Sequence, residues 1–261
     1  MDAIRFIFGS TVTQRIRQVK QPRGGYLRPR DFTVTQLDGG GIDDLNPKEN
    51  VSPALVGMAV DYLTRYVTGT DPARAFAIPG RGAHVLHEEN TYGSLLTQID
   101  GLTDASIAAA CRLTGFDSAF RAGPAAYRPV DEIQPDGPTI GNIRAMVGRS
   151  TDFFTQYGPK TLDGLTFDGG YTSTVCAGDG DFMTADTLWE FKVSRSKPIT
   201  RWTLQLLMYW RMGLHSKYAD EYRNVRYLGI YNPRMNTVHR LDVESIPAET
   251  IEKVETEVIG Y

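Results

Sequence analysis

From residue 178 to residue 193 the chain reads Gly-Asp-Gly-Asp-Phe-Met-Thr-Ala-Asp-Thr-Leu-Trp-Glu-Phe-Lys-Val. Side chains alternate between the two faces of a strand, so Trp189, Phe191 and Val193 share one face while Leu188, Glu190 and Lys192 share the other. A two-residue turn at Ala185-Asp186 makes Thr184 face Thr187, Phe182 face Trp189, Asp181 face Glu190 and Asp179 face Lys192. One face is then expected to be core and the other to hold charge. A hairpin of this kind has to sit in a sheet with at least one covered face, and its opposed carboxylates call for a counter-charge.

Like charges directly across a strand pair, with Cβ atoms about 4.5–5.5 Å apart, destabilise it. A cation relieves the conflict. Only oxygen ligands stand near, without histidine or thiolate, which points to Mg²⁺ or Mn²⁺, hard ions that accept one or two carboxylates and leave room for water and phosphate oxygens. Lys192, two residues past Glu190, faces the same place, where its ammonium can polarise an attacking water and offset charge building on a phosphate. In the next helical stretch Arg201, Gln205 and Tyr209 recur every four residues as one polar stripe, while Leu204, Leu207 and Met208 supply packing.

In order and spacing, Gly178-x-x-Asp181, Glu190-x-Lys192 and Gln205-x-x-x-Tyr209 resemble the motifs of the PD-(D/E)XK nuclease superfamily, in particular its RecB-like branch. The close resemblance covers about residues 165–215. It implies a restriction-endonuclease-like α/β (α+β) core, a central mixed sheet flanked by helices, here with a helical insertion. It also implies that Asp181 and Glu190 ligate the metal, with the Phe191 carbonyl as a further ligand, that Lys192 assists the attacking water, and that Gln205 and Tyr209 position substrate or the lysine. Asp61 stands for the acidic residue that the family carries on its first core helix, although Arg65, four residues on, offers it an ordinary ion pair. Asp179 is the alternative to Asp181 in the Gly-Asp-Gly-Asp run.

With 261 residues, 41% of them hydrophobic, the chain can bury a substantial core without staples. Residues 1–52 read as an irregular basic N-terminal arm, rich in Gly, Pro, Asp and Asn, with a β-leaning piece at 32–35. Residues 53–261 read as the nuclease-like domain, with the insertion at about 70–160. Within it, Ser52-Pro53 starts a helix that Gly69 ends. Further helices are expected at about 104–115, 139–154, 200–212 (closed by Gly213) and 247–258. Short β-rich pieces at 165–167, 171–175, 181–183 and 188–193 predict a three-stranded meander, with later strands at 225–231 and 238–241.

The formal charge of −3 does not announce a nucleic-acid binder, but its distribution is uneven. Residues 1–30 carry seven basic residues against one acidic; residues 242–261 carry six acidic against one basic. Arg195 and Lys197 after the charged strand, Arg201 at the helix start, and Arg144 and Arg149 on the preceding helix are the candidate DNA-phosphate contacts. Two cysteines exclude an iron–sulfur cluster with four cysteine ligands and suggest a reducing compartment. The apolar piece at 4–8, broken by Arg5, is too short for a secretory signal, and no apolar run approaches a membrane span. A cytoplasmic protein with no membrane partner is expected. The absence of a Gly-x-x-x-x-Gly-Lys-Ser/Thr motif means that any unwinding requires a helicase or other protein partner.

The expected function is Mg²⁺-dependent hydrolysis of phosphodiester bonds in DNA, exonuclease-like, in repair, recombination, phage or defence metabolism. The alternative is a catalytically silent nucleic-acid-binding or assembly protein on the same fold.

Overall fold

The computed structural model describes residues 9–261; the 4–8 piece and Arg5 lie outside the described residues. Among the described residues eight strands form, β1 (Ser10–Thr11), β2 (Thr33–Gln36), β3 (Leu162–Leu165), β4 (Val175–Ala177), β5 (Gly180–Met183), β6 (Thr187–Phe191), β7 (Tyr227–Asn232) and β8 (Thr237–Asp242). Six of them make one mixed sheet in the order β2-β8-β7-β6-β5-β3, parallel only between β6 and β7. The α-helices among the described residues are α1 (Val12–Gln18), α2 (Pro53–Val67), then α3 (Pro72–Ala75), α4 (Ala77–Leu86), α5 (Glu89–Leu96), α6 (Asp104–Thr114) and α7 (Asp117–Ala122), followed by α8 (Gly137–Tyr157), α9 (Thr200–Leu214), α10 (Ala219–Tyr222) and α11 (Ala248–Lys253). Among the described residues no helix is long and apolar enough to cross a membrane.

Local chemistry sets the ends of the major helices. The Ser52 hydroxyl accepts the Leu55 N–H and Pro53 occupies the first turn of α2; Asp136 caps α8 through the Thr139 N–H. Gly213 does not close α9, which continues to Leu214. A Cβ at 213 would stand 2.1 Å from the Tyr222 ring, so this glycine admits a side chain from α10 rather than ending a helix.

The hairpin register agrees with the expectation. Phe182 pairs with Trp189 and Met183 with Leu188, and the Thr184 N–H closes the turn on the Thr187 carbonyl. The expected division into a core face and a charged face does not hold. Leu188 packs with Leu204, Leu207 and Met208 of α9, while Trp189 packs edge-on to Phe153 of α8, and both are fully buried. Helices cover the sheet on both sides, so charge is confined to one end of β6. Pairing of β3, β5 and β6 makes a three-stranded meander, but its first strand shares only Leu165 with the expected 165–167 piece, the 171–175 piece contributes only Val175 to a strand, and β4 pairs in parallel with β1 outside the sheet.

The N-terminal stretch is built into this body. β2 is the sheet's edge strand on β8, and Leu27 and Phe32 join the α9 core. Arg15 of α1 donates to the Glu257 and Val258 carbonyls, so the basic and acidic ends of the chain meet each other. A second core lies between α2, α6 and α8, where Val60, Leu63, Ile107, Ala110, Ile143 and Val147 are buried together. Helices α3–α8 lie within the 70–160 stretch expected as the helical insertion, but α8 packs on the sheet through Phe153 and so is part of the same body.

Candidate active site

The side chains of the three motifs converge where β5 begins and β6 ends, against α9. Odd-numbered N–H groups of β6 point towards β5, and that of Phe191 is taken by the Asp181 carboxylate, whose Oδ2 lies 2.7 Å away. This bond draws Asp181 across the hairpin to the side of Glu190. Glu190 is 3% exposed, forms an ion pair with Lys192, and its Oε2 has no hydrogen-bond partner. Lys192 continues β6 through its N–H to the Tyr231 carbonyl, and its Nζ lies 3.4 Å from Gln205 Oε1. Gln205 Nε2 donates to Tyr209 Oη at 2.9 Å, and the buried Tyr209 ring stacks on Phe167. One connected chain of polar groups thus runs from Glu190 through Lys192 and Gln205 to Tyr209.

The electrostatics follow from burial and crowding. Burial, then Glu190 and Asp61, raise the Asp181 carboxyl well above the carboxylate range, against Lys192 and Arg65. Burial likewise raises Glu190, with Lys192 opposing. Burial alone would lower the Lys192 ammonium, but Glu190 and Asp181 overcome it and hold the group above its usual value. Tyr209 is raised by burial and by Glu190. The carboxylates therefore hold a proton or a cation readily, and Lys192 stays charged.

Asp61 and Arg65 form the ion pair expected from their spacing, at 2.9 Å, but Arg65 does more. The same guanidinium reaches Asp163 of β3 at 3.5 Å and Asp181 at 3.8 Å. Neither Arg65 as a bridge nor Asp163 as a neighbour was legible in the sequence, because both depend on where α2 lies relative to the sheet edge. Asp179 precedes β5 and is exposed, so the expected pairing of Asp179 with Lys192 is not part of the ladder; Asp179 faces the site as a nearby charge.

The candidate phosphate contacts divide into two groups. Arg195, Lys197 and Arg201 are exposed around the Lys192 end, with Arg195 also donating to the Pro47 carbonyl at 3.0 Å. Arg149 does not face DNA as expected: it is 6% exposed and spends its donors on the Gly39, Gly41, Pro233 and Arg234 carbonyls, tying the N-terminal stretch to the β7–β8 turn. Arg144 is half-buried on α8, bonded to the Leu102 carbonyl and in a surface ion pair with Asp104.

Among the described residues no group of three or more carboxylate, histidine or cysteine side chains is arranged to hold a metal. The two-carboxylate set of Asp181 and Glu190, with the unpartnered Glu190 Oε2, fits a hard divalent ion that retains most of its water. No family model, curated protein or solved structure matches the chain.

Proposed function

We propose that the chain is a divalent-metal-dependent nuclease with a restriction-endonuclease-like core, of the RecB-like branch of the PD-(D/E)XK superfamily, hydrolysing phosphodiester bonds in DNA. The observation that carries this reading is the polar chain Glu190–Lys192–Gln205–Tyr209 beside Asp181, assembled from three separate sequence motifs. Asp181 and Glu190, with the Phe191 carbonyl, would hold Mg²⁺ or Mn²⁺, and the ion would supply Lewis-acid stabilisation of a phosphoryl oxygen. Lys192 holds and polarises the attacking water and offers its positive charge where negative charge builds on the phosphoryl oxygens. Gln205 fixes the position of the ammonium, Tyr209 fixes Gln205, and Arg195, Lys197 and Arg201 attract the phosphate backbone. Unwinding would fall to a helicase or other partner.

A second reading, a catalytically silent nucleic-acid-binding or assembly protein on the same fold, is favoured by Arg65, which already sets a cation beside Asp181. Incubation of wild type and Asp181→Asn with linear and circular, single- and double-stranded DNA, and with RNA, in Mg²⁺, Mn²⁺ or EDTA, separates the two. Metal-dependent degradation lost in the variant is expected, with circles spared by an exonuclease. DNA and RNA that both survive wild type with either metal would overturn the nuclease.

A further inference from the structure

A cavity of about 590 Å³ opens between the N-terminal half of α2 and the segment that follows α6. Its size is that of a small-molecule site. Leu55 and Met58 of α2 and Ile133 form an apolar wall, while Asp117, Arg121 and Arg128 line the same space. Asp117 is 1% exposed; its Oδ2 accepts the Tyr62 hydroxyl at 2.6 Å, and its buried Oδ1 has no partner. A buried acceptor left unpaired costs free energy that a ligand N–H would recover. Arg121 touches Asp117 only at 3.5 Å with half its side chain exposed, and Arg128 is exposed without an ion pair or hydrogen bond among the described residues.

Helix α2 links the cavity to the hairpin. Tyr62, the donor to Asp117, follows Asp61, and the Asp61–Arg65 pair reaches Asp181. We infer that this cavity is a nucleotide subsite, in which a base lies against Leu55, Met58 and Ile133, an exocyclic or ring N–H reaches Asp117, and a phosphate meets Arg121 and Arg128. The choice of a nucleotide over another anionic ring rests on the nuclease reading. The occupant is a nucleoside monophosphate unit, supplied as a strand end or as a free nucleotide.

Binding is tested in EDTA, where no cleavage intervenes, by calorimetry with the four deoxynucleoside 5′-monophosphates, the matching nucleosides and a single-stranded oligonucleotide with a terminal phosphate. The proteins are wild type, Arg121→Ala, and Ala54→Trp, which fills the cavity from an exposed position; melting curves check their folding. Saturable binding of a phosphorylated ligand is expected, at least 10-fold weaker for the nucleoside and for either variant. Binding of the free monophosphate marks a mononucleotide site, and binding of the oligonucleotide alone marks a strand-end site; either supports the subsite. Absent binding by wild type, or binding indifferent to both variants, would overturn it. Cavity-dependent binding in a protein that never cleaves with metal would overturn the nuclease reading alone, whereas cleavage by a protein with no such binding would overturn the subsite alone.

Discussion

Asp181 Oδ2 accepts the Phe191 N–H at 2.7 Å, a bond that a backbone carbonyl of β5 would otherwise make. The carboxylate thus completes the hairpin and, in the same position, stands beside Glu190. Its structural and its chemical roles are separable, because an amide oxygen can take the N–H but cannot supply negative charge.

Asp181→Asn is accordingly expected to fold with a Tm close to wild type and to lose metal-dependent cleavage. Outer-sphere partners of metal sites are worth about 10–100-fold, so loss of a ligand should exceed about 100-fold in kcat/KM. Mg²⁺ titration followed by the metal-induced rise in Tm checks this, and a variant that cleaves like wild type would remove Asp181 from the site.

Lys192→Ala strands Glu190, buried at 3% exposure, without its ion-pair partner. Removing one member of a buried pair is expected to cost about 3 kcal/mol, roughly 6–10 °C in Tm for a chain of this size. Mg²⁺ should raise the variant's Tm more than it raises that of wild type, while cleavage stays lost. Equal Mg²⁺ shifts in the two proteins would mean that no ion binds against Glu190.

Arg149→Ala removes a guanidinium that holds four backbone carbonyls from two loops. Charged hydrogen bonds of this kind, lost from a buried place, predict a destabilisation of about 3 kcal/mol. If Arg149 contacted phosphate instead, the salt dependence of DNA binding would fall by about one counterion. The expected result is a lower urea midpoint and an unchanged salt slope.

Asp117 is raised to about 6 by burial, against its bond with Tyr62 and the Arg121 charge. Between the unfolded value of 3.8 and about 6 the folded protein holds a proton that the unfolded chain has released. Stability contributed by this group is therefore greatest below the unfolded value and declines as pH rises through the window, by on the order of 3 kcal/mol. Asp117→Asn keeps an acceptor for the Tyr62 hydroxyl and does not titrate. Its stability relative to wild type should rise from pH 4 to pH 7 in denaturant melts; a pH-independent difference would show that Asp117 titrates normally.

The sequence by itself determined the features that neighbouring residues decide. Strand alternation and a two-residue turn set the pairing of Phe182 with Trp189, which leaves Asp181 and Glu190 just beyond the last ladder pair on one face. A serine followed by proline set the start of α2, and a four-residue spacing joined Gln205 to Tyr209. These interactions act within one turn, one hairpin or one helix face, so their geometry is written in residue spacing. Only the tertiary structure decided that both Leu188 and Trp189 are core, because that depends on helices packing on each side of the sheet. It decided that Arg149 holds loops rather than phosphate, that β2 joins the sheet at its edge, and that Arg65 spans Asp61, Asp163 and Asp181. An arginine's fork matches a phosphate, a carboxylate and a carbonyl pair alike. Which of these it meets is set by segments distant in the chain, through a packing arrangement that no local pattern encodes.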